Sequence, residues 1–462
     1  MTSSSSPEPL FPSTRRALMH RIAVGQAAGR APSLTGAVVR NGQLVWCGAR
    51  SMLDGHEPDG NTQYRIGSLT KTFVAVMVMR LRDEGLLDLA DPLGKHLHVG
   101  QAEAEALTVA QLLSHTSGLA AEARGPWWER TPGDLRPGLP DILGERPQRH
   151  PAGRVFHYSN PGYALLGALV SQLRGADWDE VLRREILEPL GMTRTTLQPQ
   201  PPRAGGFAVH PWADVMQPEA VEDTGQMAPA GQLWSTAEDL GRFAAFLTGG
   251  DDRVLPAGTL AEMRVPASGP RDDAWESGFG LGMQLLRTDG RLLSGHSGSM
   301  PGFVCTLWVS PEDGLAGMAL ANATQGPDTN AIAADLIGIM ADHEPPFPQR
   351  WKPLPEADPA LLALTGPWYW GPTPYVLRLR PGRVVELSPA DGKGRSSRFR
   401  PESDRTWIGL DGYYAGEPLC VVRGADGTAD HLDLGTFIFT REPYEPSAPE
   451  AARPDPGGWQ AF

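Results

Sequence analysis

Apolar residues recur at helical spacing in several separate stretches of the first 345 residues. The stretch 69–86 is apolar on nearly every side, which is typical of a helix buried in the middle of a domain. The segment 236–248 begins with Thr236, a residue suited to a helix N-cap, and has two acidic residues in its first turn. The pattern predicts helices over 14–28, 69–86, 159–175, 177–188, 236–248 and 329–341.

Short apolar runs between turn residues predict strands at both ends of this region. The early pair, within 33–49, flanks Asn41-Gly42, a dipeptide that favours a two-residue hairpin turn. A later set over 291–298, 303–310 and 314–323 is typical of an antiparallel meander. Because the helices lie between the two sets, we predict an α/β (α+β) fold: one antiparallel sheet joins the first and last segments, with a helical region inserted.

The composition changes along the chain and predicts how it is divided. Six prolines within 344–359 indicate a stiff linker between two domains. Beyond it, short β runs separated by Asp-Gly turns predict a small antiparallel β-domain of barrel or sandwich type. The expected order is a disordered N-terminus at 1–13, a large domain at 14–343, the linker at 344–359, the β-domain at 360–443 and a flexible tail at 444–462.

The overall charge and composition exclude several classes of protein. The 462 residues carry a net charge of −13 and contain no Lys/Arg-rich run, so nucleic acid is not an expected partner. The apolar run Phe73–Met79 is far shorter than a membrane-spanning helix, so no membrane association is expected. The N-terminus lacks a basic segment followed by an apolar stretch, so no signal peptide is predicted and a cytoplasmic location is expected.

Three cysteines and eleven histidines provide no recognisable metal site. The cysteines, Cys47, Cys305 and Cys420, are far apart and odd in number, so neither a disulfide framework nor a CxxC zinc site is indicated. We therefore predict free thiols, no metal and no cofactor.

The basic residues are unevenly divided, and this draws attention to Lys71. Only four of the 41 basic residues are lysines. Lys71 follows Ser68 by three positions, which places both side chains on one face of a helix. A buried neutral lysine can take the proton of a serine hydroxyl, whereas arginine stays charged. The Ser-x-x-Lys pattern alone also suits a surface helix, but the apolar residues that follow Lys71 argue against that.

Two further segments carry candidate chemistry. Tyr158 and Asn160 stand just before a predicted helix. The tyrosine can transfer a proton, with its pKa lowered beside a lysine cation, and the amide of Asn160 can orient a substrate amide and hold the lysine. Either residue can instead serve only in packing and capping. His296-Ser297-Gly298 ends a predicted strand, whose backbone N–H groups can stabilise an oxyanion, and a glycine there allows close approach.

Together these three motifs, in this order, resemble the serine β-lactamase and penicillin-binding-protein family, near class C β-lactamases, family VIII esterases and D-peptidases. The resemblance covers roughly residues 14–345. It is strengthened by the segments 107–119, 151–167, 186–197 and 228–247.

The resemblance implies a role for each matching residue. Ser68 is the implied nucleophile, Lys71 its proton acceptor, and Tyr158 the group that shuttles the proton to the leaving group. Asn160 would contact an amide of the acyl chain. His296 would belong to the catalytic set, and the backbone N–H groups of Ser68 and of a residue near Ser299 would form the oxyanion hole, with Gly298 and Ser299 contacting substrate.

Two other features have alternative interpretations. His115 is expected to be structural in this family pattern. The loop residues Trp127 and Trp128 either line a substrate groove or only anchor their loop.

The third motif departs from the commoner Lys-Thr-Gly, because His296 replaces the lysine. The change removes a fixed cation that would pair with a substrate carboxylate, which puts efficient β-lactamase activity in doubt. The first hypothesis is a penicillin-binding-protein-type thioesterase with a lipocalin-like β-domain. It would take a small-molecule or peptidyl (thio)ester substrate ending in a D-residue, in some cases bound to a carrier protein, and would cyclise the peptide. The second is a hydrolase with water as the acceptor: an esterase, a D-aminopeptidase or carboxypeptidase, or a weak β-lactamase. The third is a catalytically silent binding or sensor protein.

Overall fold

The computed structural model describes residues 9–125, 128–130, 138–268, 275–347, 350–403 and 405–444. The chain divides into two compact units between Pro346 and Phe347, inside the segment predicted as a linker. The predicted disordered N-terminus and flexible tail lie largely outside the described residues, although helix α1 already begins at Pro12.

Helices make up most of the middle of the first unit. They are α1 (Pro12–Ala28), α2 (Thr70–Asp83), α3 (Ala102–Glu105), α4 (Val109–Leu113), α5 (Leu139–Leu143), α6 (Asn160–Arg174), α7 (Trp178–Leu182), α8 (Glu188–Leu190), α9 (Ala228–Gly231), α10 (Ala237–Gly249), α11 (Ala257–Met263), α12 (Thr329–His343) and, in the second unit, α13 (Pro359–Leu362). A π-helical turn, Arg183–Leu187, joins α7 to α8, so the predicted helix 177–188 is continuous but irregular.

The strands of the main sheet of the first unit come from both ends of its sequence, as predicted, and short strands occur between them. They are β1 (Ser33–Arg40), β2 (Gln43–Ser51), β3 (Tyr64–Arg65), β4 (Phe207–Val209), β5 (Met216–Pro218), β6 (Trp234–Ser235), β7 (Ser277–Phe279), β8 (Gln284–Thr288), β9 (Arg291–Met300), β10 (Phe303–Ser310) and β11 (Leu315–Ala321). Seven of them form one antiparallel sheet in the order β2-β1-β11-β10-β9-β8-β7. Strand β1 pairs with β11, Leu34 facing Ala321, which confirms the predicted joining of the first and last segments.

The predicted hairpin turn is formed as expected. Asn41 and Gly42 both have positive φ, 50° and 77°, the conformation that a type I′ turn requires between β1 and β2.

Two hydrophobic cores hold the sheet between layers of helix. Helices α1 and α12 cover one face, where Ile22 and Leu336 pack over Gly36. On the other face a larger core joins the sheet to the helical region, with α2 at its centre. Eleven of the fourteen residues of α2 are buried, as the apolar sequence on all its sides predicts.

The second unit is a closed barrel of eight antiparallel strands that pair in sequence order. They are β12 (Gly366–Trp370), β13 (Thr373–Leu379), β14 (Val385–Pro389), β15 (Ser397–Pro401), β16 (Thr406–Gly409), β17 (Pro418–Arg423), β18 (Ala429–Leu434) and β19 (Phe437–Thr440). Large side chains fill its interior, among them Trp368, Phe399, Trp407 and Phe439, each at most 1% exposed. The closure confirms the barrel form of the prediction and is consistent with a lipocalin-like domain.

In the described part of the chain, no helix combines the length and the apolar character that crossing a bilayer demands. The described histidines, cysteines and acidic residues also form no group of three or more that could hold a metal ion.

Candidate active site

Ser68 lies in a 3-10 turn, Gly67–Leu69, that leads directly into helix α2. Gly67 has a φ of +52°, and a Cβ there would lie 2.5 Å from the backbone nitrogen of Ser299. Glycine is therefore required both for the turn and for its close approach to strand β9. This approach places the hydroxyl of Ser68 beside the end of the sheet, where it lines a cavity.

The amine of Lys71 lies one helical turn beyond Ser68, fully buried. Its Nζ donates to Ser68 Oγ over 2.9 Å and to the carbonyl oxygen of Ala230 over 2.5 Å. The ring centroids of Tyr158 and Tyr163 lie 5.0 and 5.7 Å from the same nitrogen. Because burial disfavours the charged ammonium, the pKa of Lys71 falls from its ordinary 10.5 to about 7, although nearby acidic groups act in the opposite direction. Near neutral pH a large share of Lys71 is therefore the free amine, able to accept the proton of Ser68.

Tyr158 lies within hydrogen-bonding reach of Ser68. Contrary to the prediction that a lysine cation would lower it, the pKa of Tyr158 is raised, chiefly by burial of the phenol. Burial also lowers the pKa of Lys71 to about 7, so the cation expected beside Tyr158 is only partly present at neutral pH. Tyr158 therefore stays a phenol near neutral pH, and Lys71 is the group suited to accept the first proton.

His115 holds Tyr158 in place. Its ring stacks on the Tyr158 ring at 4.1 Å between centroids, and its Nδ1 accepts the backbone N–H of Ser159 over 3.0 Å. Burial keeps the pKa of His115 well below its ordinary value, so the ring is neutral and can accept that hydrogen bond. These contacts support the structural role that the sequence pattern predicts.

Asn160 is the first residue of helix α6, whose N-cap is Ser159. Its Nδ2 donates to Glu122 Oε1 over 2.9 Å, while its buried Oδ1 has no hydrogen-bond partner among the described residues. The prediction that Asn160 holds Lys71 is therefore wrong, because Lys71 Nζ donates to Ser68 and Ala230 instead. A buried amide oxygen without a partner is costly unless a donor reaches it. A substrate amide N–H is such a donor, which supports the predicted contact.

The strand after His296 forms the other wall of the site. A Cβ on Gly298 would lie 1.9 Å from the carbonyl oxygen of Ile66 and 2.9 Å from the backbone nitrogen of Ser68. Strand β9 therefore lies directly against the turn that carries Ser68. The backbone nitrogens of Ser68 and Ser299 both lie at this contact, which is consistent with the predicted oxyanion hole.

His296 itself is fully buried and neutral. Its Nδ1–H donates to the carbonyl oxygen of Ser297 over 2.5 Å. Burial, and to a lesser degree Lys71, lowers its pKa to about 3. His296 thus supplies no cation to the site at neutral pH.

A cavity of about 520 Å³ opens at Ser68, and the structure brings most of the predicted residues together there. Its described lining contains no lysine or arginine. The lining residues are Ser68, Tyr158, Gln284, His296–Ser299, Val304, Cys305 and Thr324–Asn330.

The structure does not test the roles predicted for the two loop tryptophans. Trp127 lies outside the described residues, and of Trp128 only the backbone, at the start of the turn Trp128–Arg130, is described.

Sequence reasoning missed three participants. Ala230 contributes only a backbone carbonyl, and no side-chain pattern could have revealed it. Glu122 and Gln284 belong to no motif, and strand β8, which carries Gln284, was not predicted because its five residues follow a glycine-rich run.

The pKa of Lys71 leads to an expected pH dependence. Below pH 7 the ammonium form has no lone pair for the proton of Ser68, so the acylation rate should rise about tenfold per pH unit and level off above pH 7. Pre-steady-state release of p-nitrophenol from an activated ester between pH 5 and 9 measures this. His296 is already neutral throughout that range, so a rate that does not change between pH 5 and 7 would contradict the role of Lys71.

Comparisons with known proteins agree with this geometry. The sequence profile of the Beta-lactamase family matches residues 18–341, and that of a domain of unknown function matches residues 357–441. The chain is 31% identical over 325 residues to penicillin-binding protein 4 of Amycolatopsis lactamdurans, covering 65% of this chain and 82% of that one.

Solved structures show the same architecture. The crystal structure of SurE is similar with a TM-score of 0.59 at 26% identity, covering 93% of this chain and 99% of that chain. The D-amino acid amidase of Ochrobactrum anthropi SV3, in complex with D-phenylalanine, has the same fold with a TM-score of 0.61 at 24% identity, covering 71% of this chain and 99% of that one. Taken with the family match over 18–341, these findings establish that the chain belongs to the β-lactamase and penicillin-binding-protein family of serine acyl-transfer enzymes and hydrolases.

Proposed function

We propose that this protein transfers acyl groups through an ester formed on Ser68. The observation that carries the proposal is the 2.9 Å contact between Ser68 Oγ and a buried Lys71 whose pKa is about 7. A serine hydroxyl becomes a competent nucleophile when a neighbouring base of suitable pKa takes its proton.

The reaction follows from the positions of the groups. Lys71 accepts the hydroxyl proton as Ser68 Oγ bonds to the substrate carbonyl carbon, and the resulting oxyanion lies against the N–H groups of Ser68 and Ser299. When the bond to the leaving group breaks, Tyr158 donates its proton to the leaving atom and regains one from Lys71. The products of this half-reaction are the acyl-Ser68 ester, the protonated leaving group and a neutral Lys71.

The cavity favours a substrate that is neutral near the reacting carbonyl. Its described lining has no cation to pair with a free carboxylate, and His296 stays uncharged. We therefore favour a peptidyl thioester or ester over a β-lactam or a peptide with a free C-terminal carboxylate. A peptide that ends in a D-residue and is held on a carrier protein fits this description.

For the second half-reaction, we favour the peptide's own amine as the acceptor, which would release a macrolactam. Support comes from the β-barrel unit, which matches the lipocalin-like domain of the penicillin-binding-protein-type thioesterases that the sequence resembles. The amine loses a proton to the Lys71–Tyr158 pair as its nitrogen bonds to the acyl carbon, and Ser68 regains its hydroxyl proton.

A second candidate is a D-specific amidase or esterase in which water is the acceptor. The carboxylate of Glu122, bonded to Asn160, favours it because an acidic group at the amide-binding residue suits a substrate with a free ammonium group. The fold shared with the D-amino acid amidase fits this candidate as well.

Mass spectrometry tests the acyl-enzyme directly. A fluorophosphonate, or an activated peptidyl thioester, should add one adduct that maps to Ser68 in the full chain, and Ser68→Ala should remove it. A matched control is Ser171→Ala on helix α6, which should keep the adduct. Absence of an adduct on Ser68 would refute both enzyme proposals and favour a silent binding protein.

The products then separate the two acceptors. A linear peptidyl thioester with a C-terminal D-residue and a free N-terminal amine should give a product 18 Da lighter than the linear acid. If only the linear acid forms, the hydrolase proposal replaces the cyclase proposal.

A further inference from the structure

The edge of strand β9 that faces β8 is only partly covered. Strand β8 begins at Gln284, which pairs with Gly295, whereas β9 continues past Gly295 to Met300. On its other side β9 is paired with β10 along Ser294–Met300. Among the described residues, no strand continues β8 beside residues 296–300.

The alternation of a β-strand shows which groups point to that open edge. Met300 and Phe303 are the pair that closes the β9–β10 hairpin, so the N–H of Met300 points to β10. The N–H groups of every second residue before Met300 point the same way. Those of Ser297 and Ser299 therefore point to the open edge. Ser299 presents its N–H at Ser68, and Ser297 gives its N–H to the side chain of Gln284 over 3.0 Å.

This contact determines how the amide of Gln284 is turned. A backbone N–H can only donate, so the atom that it reaches is Oε1, which also lies 3.2 Å from Ser297 Oγ. The –NH₂ group of Gln284 is left without a hydrogen-bond partner among the described residues. Gln284 is half-buried and lines the same cavity as Ser68 and Tyr158, so its two N–H donors are available to a bound molecule.

We propose that Gln284 is a specificity-determining residue whose –NH₂ donates to an amide carbonyl oxygen in the leaving group. The inference deepens the proposed function and rests on it. A neutral donor suits a neutral carbonyl better than a carboxylate, in agreement with a described cavity lining without lysine or arginine. The leaving-group side is favoured because Tyr158, which protonates that group, borders the same cavity, while Asn160 binds the acyl chain from the helical region. The substrate class is thus a thioester or amide whose leaving part carries its own amide.

Two thioesters with the same acyl group test the proposal on the full-length chain. N-acetyl-D-phenylalanine is joined either to N-acetylcysteamine, which carries an amide carbonyl, or to pentane-1-thiol, which has the same length without it. Ser68 acylation rates are compared as the ratio between the two thioesters, so their intrinsic reactivities cancel between variants. Relative to wild type, Gln284→Leu should lower this ratio by about 2- to 10-fold, the effect of one neutral hydrogen bond.

A second variant tests whether Gln284 acts by binding the substrate or only by supporting strand β9. Gln284→Glu keeps an acceptor for the N–H of Ser297 but replaces the donor, and it should lower the ratio at least as much as Gln284→Leu. The exposed Gln172→Leu is the matched control and should leave the ratio unchanged.

The possible outcomes are distinct. The proposal would be overturned if both Gln284 variants keep the wild-type ratio, whether or not the two acylation rates fall together. That result would not affect the proposal of an acyl-Ser68 intermediate. If neither thioester acylates Ser68 in the wild-type chain, the proposed function itself fails.

Discussion

Replacing Lys71 with arginine is expected to lower the rate of Ser68 acylation by at least about 1000-fold. Arginine preserves a cation but cannot release its proton near neutral pH, so Ser68 would lose its base. Removing one member of a nucleophile–base pair typically costs several orders of magnitude in rate. Burst release of p-nitrophenol from an activated ester, or fluorophosphonate labelling over time, measures the loss.

The design needs controls, because an arginine must fit where Lys71 is fully buried. Lys71→Met removes the amine without adding a charge and should be equally inactive, while thermal unfolding shows whether both variants are folded. The exposed Lys95→Arg carries the same chemical change and should react like wild type. A folded Lys71→Arg protein that acylates within tenfold of wild type would refute the assigned role.

Replacing Gly298 with alanine is expected to lower acylation at least about 100-fold and also to destabilise the fold. The new Cβ would lie 1.9 Å from the carbonyl oxygen of Ile66 and 2.9 Å from the nitrogen of Ser68, both backbone atoms that cannot move away as a side chain can. Either β9 or the Ser68 turn must shift, and the two oxyanion donors would separate. Loss of one such donor costs about 100- to 1000-fold, and overpacking a well-packed site costs about 1–3 kcal/mol.

Gly338→Ala on helix α12 is the matched control, since its Cβ would meet nothing within 4 Å. It should leave activity unchanged and slightly raise the unfolding temperature, because alanine is the better helix former. Unfolding temperatures and acylation rates, measured on both variants, separate the two effects. A Gly298→Ala protein with normal acylation would show that β9 does not supply the oxyanion hole.

The sequence predicted the long elements well for identifiable reasons. Helix α2 is apolar on all sides. The hairpin turn at Asn41-Gly42 can be predicted from the dipeptide itself, without knowledge of any distant contact. The elements that were missed depend on distant contacts: β8 is short, and β15 and β18 contain charged residues whose strand conformation comes from closure of the barrel.

The candidate site was likewise only partly predictable from the sequence. Ser68, Lys71 and Tyr158 could be identified from the sequence because their side chains occur at recognisable spacing. The geometry proposed to activate them depends on groups that no motif marks, such as the carbonyl of Ala230 and the packing that lowers the pKa of Lys71. The pKa of Tyr158 was predicted in the wrong direction because burial, which sequence spacing does not measure, raises it more than the hydrogen bond with Ser68 lowers it.

Burial of Lys71 also links catalysis to the folding equilibrium through proton binding. The unfolded chain binds a proton at this amine up to a pH near its ordinary pKa of 10.5, whereas the folded chain releases it near pH 7. Between these values the unfolded state holds more protons, so this residue's contribution makes the protein more stable as the pH rises. Below pH 7 both states are protonated and the full cost of burying the ammonium is present. The amine that we propose as the base for Ser68 therefore weakens the fold most under the acidic conditions in which it also cannot accept a proton.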